Sequence, residues 1–318
     1  MASAVTGVET TESRVPIDVA KWPRDEEFAI FPVGSKPKRA LFCPTDQPSP
    51  KLIGGHRYLF KISTGWRLHQ HWSEVIAFEL AREIGLPCAP CFLAIDSNTG
   101  EVGALSEFFY GYADERPSMR LISGADFLRR VIRDFDDDTD KCHTWQNVQL
   151  ISRVLRQPYR MTWWGQLLTF DALIGNTDRH SENWGLLAAK SDDRWRLQMA
   201  PAFDHGTSLA YQVADKDLAK ASKPDAIEKF VARGCHHMAL VSGTRGHVAL
   251  CTELARRNRD FRSAVAGVAT INEGAVMAVL NSCCGVELPL GECIPERAEY
   301  LFQLISARKK ALLSGLGK

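Results

Sequence analysis

The sequence has neither a long apolar run nor a surplus of one charge. Its 318 residues carry 39 Lys and Arg against 38 Asp and Glu, a formal net charge of +1, so no overall field draws the chain to nucleic acid or to an anionic membrane. Any basic patch has to be local, and direct nucleic-acid binding is not expected. The least polar stretch, residues 264–279, is broken by Thr270, Asn272 and Glu273. It is too short and too polar to cross a bilayer. Met1 to Val15 is rich in Ser, Thr and Ala and carries Glu9 and Glu12. It lacks the basic start and apolar centre of a secretion signal. It reads as a disordered tail, which we extend over residues 1–22. The nine cysteines are odd in number and follow no repeated spacing, so reduced thiols in a cytoplasmic protein are expected. Cys88-Ala-Pro-Cys91 has no second Cys-x-x-Cys to complete a metal site. Asp134 to Asp140 lacks the glycine and distal glutamate of a calcium loop and reads as a solvated connection. No internal repeat is present.

What is there can build a core. Apolar residues make up 45% of the chain and charged residues 24%, a balance that at this length predicts two lobes. Short apolar runs at Phe28–Phe31, Arg39–Phe42 and Tyr58–Phe60 are separated by Gly, Pro and Ser and predict antiparallel strands. Ser73 is the expected N-cap of a helix carrying Val75, Ile76, Phe78, Leu80 and Ile84, which Gly85-Leu-Pro87 stops. Phe92–Ile95 and Val102–Ser106 predict two more strands about the turn Asp96–Gly100. After Tyr110 the pattern turns helical, over 125–133, 145–155 and 159–174, followed by a hairpin of 184–189 with 195–199 and a mostly helical remainder. The fold class expected is α+β. Residues 23–109 form a first lobe of one small antiparallel sheet and one helix, and residues 110–318 a mostly helical second lobe.

The chemistry concentrates between these parts. Phosphoryl transfer needs a carboxylate to orient the acceptor, oxygen ligands for magnesium, a cation on the phosphates and a lid. Asp178 follows an apolar helix and Gly175, which suits it to orient a hydroxyl. Asn183, five positions on, and Asp204, beyond the hairpin, suit a metal. Gly34-Ser35-Lys-Pro-Lys38-Arg39 lies between the first two strands, where backbone amides and cations suit a triphosphate, although it also reads as a charged surface hairpin.

The run Asp171-Ala-Leu-Ile-Gly175-Asn-Thr-Asp178-Arg-His180-Ser-Glu-Asn183, with Met199-Ala-Pro201-Ala-Phe-Asp204, resembles the catalytic loop and metal-binding motif of HipA-like kinases and, more distantly, of phosphoinositide kinases. Upstream, Tyr58-Leu-Phe-Lys61 resembles the strand lysine that holds ATP phosphates, and Trp72-Ser-Glu74-Val-Ile-Ala-Phe resembles the helix whose glutamate pairs with it. The resemblance implies a bilobal protein-kinase-like fold and a protein serine/threonine kinase using ATP and Mg2+, able to phosphorylate itself. Asp178 and His180 are then catalytic, His180 as organiser of the loop, and Asn183 and Asp204 hold the metal. Lys61, Glu74, Gly34, Ser35 and Lys38 serve the phosphates. The backbone of the connection Leu105–Phe109, with Glu107 and Phe108, binds the adenine edge while an apolar slot holds its faces. It further implies regulation at a loop serine, Ser35 being nearest, and places the chain among toxins with an antitoxin-type partner, delivered effectors or stand-alone kinases acting on a protein substrate. Three alternatives stand beside it: a lipid or small-molecule kinase with the same centre, a catalytically silent nucleotide-binding module, and a metal-dependent hydrolase built on Asp178, His180, Asp204 and His205.

Overall fold

The computed structural model describes residues 15–26, 37–46, 49–136, 139, 141–157, 160–191 and 194–317. The expected strand at Phe28–Phe31 and the residues Gly34 and Ser35 lie outside them. Alternating burial lays out the first lobe. Strands β1 (Ile17–Asp18), β2 (Lys38–Phe42) and β3 (Arg57–Ile62) precede helix α1 (Gln70–Glu83), which β4 (Cys91–Asp96) and β5 (Glu101–Glu107) follow. They form one sheet in the order β1-β4-β5-β3-β2, antiparallel except for β1 against β4. Tyr58, Phe60 and Ile62 point from β3 to an outer core with Trp22, Leu41 and Leu105, while Leu59 and Lys61 point the other way, because successive strand residues alternate faces.

Part of the expected tail is packed. Ile17–Asp18 pairs with Ala94 and Ile95, and Val19 and Trp22 are buried against the sheet. An edge of unpaired β4 amides and an apolar outer face supply what this short segment could not supply alone. Helix α1 also begins earlier than expected. His69, not Ser73, is its N-cap. Ser73 lies one turn inside, buried, and donates its hydroxyl to the Ser208 carbonyl at 2.8 Å. The helix is apolar on more than one face because it packs on the sheet and on the second lobe together.

The second lobe opens with β6 (Met119–Ser123), a strand that the sequence reading passes over. It is five residues long and pairs with β7 more than sixty residues later, so nothing local marks it. Helices α2 (Gly124–Val131), α3 (Trp145–Val154) and α4 (Arg160–Ile174) follow, then the hairpin β7 (Gly185–Ser191) and β8 (Arg194–Met199). The remainder is α5 (Leu218–Ala221), α6 (Pro224–Arg233), α7 (His247–Arg257), α8 (Arg259–Ala269), α9 (Glu273–Asn281) and α10 (Pro295–Leu316). From Trp164 to Ile174 nearly every residue of α4 is buried, making it the axis of this lobe. Gly165 lets α8 approach closely, since a Cβ there would lie 2.7 Å from that of Ala264. Among the described residues no single helix is long and apolar enough to cross a membrane, and the cysteines are free thiols.

Candidate active site

The site grows from the C-terminal end of α4. A helix that ends in the core must satisfy its last carbonyls internally. Gly175, at φ +69°, turns the chain out of the helix where a Cβ would collide with the Arg308 guanidinium. The Asn176 amide then returns to the Asp171 carbonyl at 2.8 Å. Asn176 is fully buried and works as a bracket. Its side-chain amide donates to Asp171 Oδ1 at 2.9 Å, and its Oδ1 accepts from the Asp178 amide at 3.1 Å and from Thr207 Oγ1 at 2.9 Å. Asp178 is held by its own backbone and is half-buried. Asn183 reaches back and donates Nδ2 to the Asp178 carbonyl at 2.8 Å. That bond assigns the amide orientation and leaves Oδ1 for another partner.

Arg179 ties the two halves of the centre together. Its side chain and that of Asp171 are completely buried and paired at 2.8 and 2.9 Å, in the bidentate geometry that a guanidinium favours. Its remaining donors go to the carbonyls of Asn183 and Phe203 and, at 3.1 Å, to His205 Nδ1. Because Arg179 only donates, His205 Nδ1 is an acceptor and the ring is the neutral Nε2–H tautomer, facing Cys88 Sγ at 3.5 Å. Burial and the Arg179 charge push His205 down to about 3. The sequence reading gave the loop-organising task to His180. His180 takes part in it: its ring accepts the Glu182 amide at 3.3 Å and caps the turn Ser181–Asn183, while Arg179, Asn176 and His205 add further contacts.

The β7–β8 hairpin carries the chain back to this loop, with the Ala200 amide bonded to the Gly185 carbonyl at 3.0 Å, and so delivers Asp204. Asp204 sits at φ +57°, a left-handed conformation that costs a non-glycine residue roughly 1–2 kcal/mol. The cost is met by contacts on both sides. Arg179 holds the preceding Phe203 carbonyl, and Glu74 Oε2 accepts the following His205 amide at 2.9 Å. Lys61 completes the cluster, its Nζ 2.6 Å from Glu74 Oε1 and 3.1 Å from Asp204 Oδ1. Burial works against its charge, but Asp204 and Glu74 more than offset that and hold the ammonium above its ordinary range. One carboxylate, Glu74, thus sets both the lysine of the upper lobe and the backbone of the lower.

A cavity of about 190 Å3 opens beside this cluster, with Lys61, Glu74 and Asp204 at one end and Leu59, Ala89, Cys91, Leu121 and Phe203 along an apolar slot. Lys38 lies directly opposite Lys61 in the β2–β3 register. Cross-strand partners share a face, so Lys38 lies on the sheet face that carries Lys61. The connection to the second lobe lines the same cavity with Glu107, Phe108 and Phe109. The Glu107 carboxylate accepts the hydroxyls of Tyr58 and Tyr112, at 3.0 and 2.7 Å, which takes it to the outer core. Phe108 borders the cavity, but its amide bonds to the Arg57 carbonyl and its own carbonyl accepts His56 Nε2–H. The backbone facing the slot is that of Glu107. Its amide donates to the Pro90 carbonyl at 2.9 Å, and Pro90, having no N–H, returns nothing to the Glu107 carbonyl. A proline at that register therefore keeps one hinge acceptor available, a signal present in the sequence but meaningful only once β4 and β5 are paired.

Two lobes about a cleft, a strand lysine paired to a helix glutamate, and an aspartate brought beside them by a hairpin define the bilobal kinase-like fold. Residues 32–275 match the HipA-like C-terminal domain family, and the chain belongs to that family. No curated protein matches it by sequence. Among solved structures it is similar to the proinflammatory kinase CtkA of Helicobacter pylori, at 17% identity and a TM-score of 0.71 over 95% of this chain and 98% of that one. It is also similar to HipA of Shewanella oneidensis MR-1, solved with HipB and operator DNA, at 14% identity and a TM-score of 0.52 over 95% of this chain and 67% of that one.

The buried imidazoles make acid sensitivity a property of the fold. Burial lowers His71 and His236, like His205, to about 3. In the unfolded chain each titrates near 6.5. Between those values the unfolded state binds more protons, so stability is complete above pH 6.5 and is lost as pH falls, by up to about 1.4 kcal/mol per pH unit for each ring. Thermal unfolding is expected to move to clearly lower temperature between pH 7 and pH 5. A midpoint that stays constant over that range would contradict neutral buried imidazoles.

Proposed function

We propose that the protein is an ATP- and magnesium-dependent protein serine/threonine kinase of the HipA-like type. The observation that carries this reading is the Lys61–Glu74–Asp204 cluster at the end of an apolar cleft. The adenine would lie in the slot against the Glu107 carbonyl, with Lys61 and Lys38 on the phosphates. Asn183 Oδ1 and the Asp204 carboxylate are hard oxygen donors, the set that magnesium prefers, and fit that ion. Bound there, magnesium would neutralise phosphate charge as the γ-phosphoryl group moves. Asp178 would orient the acceptor hydroxyl and take its proton. The new bond joins the acceptor oxygen to the γ-phosphorus, the bond from that phosphorus to the bridging oxygen breaks, and ADP leaves. The similarity to a HipA solved with HipB adds an antitoxin-type partner to this reading. Nothing in the cleft favours a lipid headgroup over a polypeptide.

Purified protein incubated with γ-labelled ATP and magnesium, alone and with a cell extract, should label protein. A Lys61→Met variant should lose at least roughly 10²-fold in rate, because the phosphates lose their buried cation. ATP consumption by Lys61→Met at the parental rate, or labelling that is indifferent to chelation of magnesium, would refute the assignment.

A further inference from the structure

Phosphate transfer accounts for the floor of the cleft but not for an aromatic pair where the two lobes meet. Trp66 lies on the turn Gly65–Arg67 between β3, which carries Lys61, and α1, which carries Glu74. It is 64% exposed, unusual for the largest apolar side chain. Arg67 stacks over its ring at 4.6 Å, and Tyr211, from the segment after Asp204, meets it with ring centroids 5.7 Å apart. Neither contact covers it.

Tyr211 is held with care. Leu209 and Ala210, directly before it, are both in the left-handed region, at φ +52° and +48°, a conformation that non-glycine residues adopt rarely and almost never in succession. Both are buried, the Leu209 amide bonds to the Ile174 carbonyl at 2.8 Å at the foot of the catalytic loop, and the Tyr211 amide bonds to the Ser208 carbonyl at 3.3 Å. Strain of this kind persists where surrounding contacts demand it, and it clusters at functional surfaces. The same segment hangs on the loop that carries Asp178, since Thr207 Oγ1 and the Asp178 amide both donate to Asn176 Oδ1, at 2.9 and 3.1 Å; burial raises the Tyr211 phenol, Arg67 lowers it and Asp178 adds to the rise.

We propose that Trp66 and Tyr211 form the platform on which a polypeptide acceptor rests an aromatic or large aliphatic side chain flanking the serine or threonine presented to Asp178. The inference rests on the protein-kinase reading and names its substrate class. The platform joins one residue from each lobe, so the acceptor that covers it also bridges the two lobes. An exposed indole gains most from an apolar partner, and its flat face selects size rather than a particular residue. Polar and glycine flanks leave the indole in water and lose that gain.

The test is an arrayed library of short serine peptides in which one flanking position at a time is fixed as Gly, Asp, Lys, Leu, Phe or Trp. Peptide labelling from γ-labelled ATP with magnesium and total ATP consumption are measured in the same wells. The parent protein should favour Leu, Phe or Trp over Gly by about tenfold at one flank, and Trp66→Ala should bring that ratio close to one while Trp66→Phe keeps most of it. Each ratio is internal to one protein, so a general loss of activity does not imitate the result. The proposal is overturned if the parent shows no apolar preference, or if Trp66→Ala keeps it. ATP consumption without peptide labelling by the parent would remove the polypeptide acceptor and leave a phosphotransferase. No ATP consumption at all would remove the kinase reading with it.

Discussion

Asp178→Asn should reduce phosphate transfer by roughly 10²–10⁴-fold, the range that a positioned acid–base group contributes, and should leave the protein folded. The two halves of this expectation come from different atoms. The Asp178 amide is held by Asn176 Oδ1 and its carbonyl by Asn183 Nδ2, so the loop keeps its course when the carboxylate becomes an amide of the same shape. What is lost is the acceptor for the hydroxyl proton. Steady-state transfer, with the thermal midpoint as a control, reads both. Parental turnover in Asp178→Asn would move the acceptor-orienting role to another residue, and a collapsed midpoint would show that the carboxylate holds the loop.

Arg179→Met should be the most destabilising single change in the centre, at roughly 3–5 kcal/mol, because it leaves the Asp171 carboxylate charged, buried and unpaired. Lysine should rescue little of this, since one ammonium cannot reproduce the forked contacts to Asp171, Asn183, Phe203 and His205. The double change Arg179→Met with Asp171→Leu separates fold from function. Removing both charges should restore much of the stability, as exchange of buried ion pairs for apolar groups often does, while activity stays low because Asn176 loses its Asp171 acceptor and the Phe203 carbonyl its donor. Urea midpoints beside transfer rates measure the two effects. Full recovery of activity in the double variant would mean that the Arg179 network serves the fold alone.

The centre was legible in the sequence where the chemistry needs particular residue types at short spacing. Asp178 and Asn183 share one loop, and Lys61, Glu74 and Asp204 fall in the order expected of a two-lobed kinase; the structure brings both carboxylates within 3.1 Å of the Lys61 ammonium. Other parts were hidden for physical reasons. Asp171 looks like one polar residue in an apolar helix until Arg179 is folded onto it, although a carboxylate among Phe170, Ala172 and Leu173 signals that a partner must exist. The sequence points to the backbone around Glu107 for the adenine edge but not to the direction of its side chain, which turns to two tyrosines because alternation along β5 sets its face. Strand β6 and the packed segment from Ile17 to Trp22 depend on partners remote in the chain, and no local pattern announces them.

The sequence by itself determined the family and the two-lobed kinase-like fold: a strand lysine, a helix glutamate, an aspartate after a glycine stop and a second aspartate beyond a hairpin fall in that order. Only the tertiary structure decided how they are held. It added Arg179 and Asn176 to His180 as organisers of the loop, left the Glu107 carbonyl unanswered by Pro90, and left Trp66 exposed against Tyr211 where the two lobes meet. The reason is that residue type and spacing encode what a side chain can do, whereas its direction, burial and hydrogen-bond partners come from strands and helices that meet only when the chain is folded.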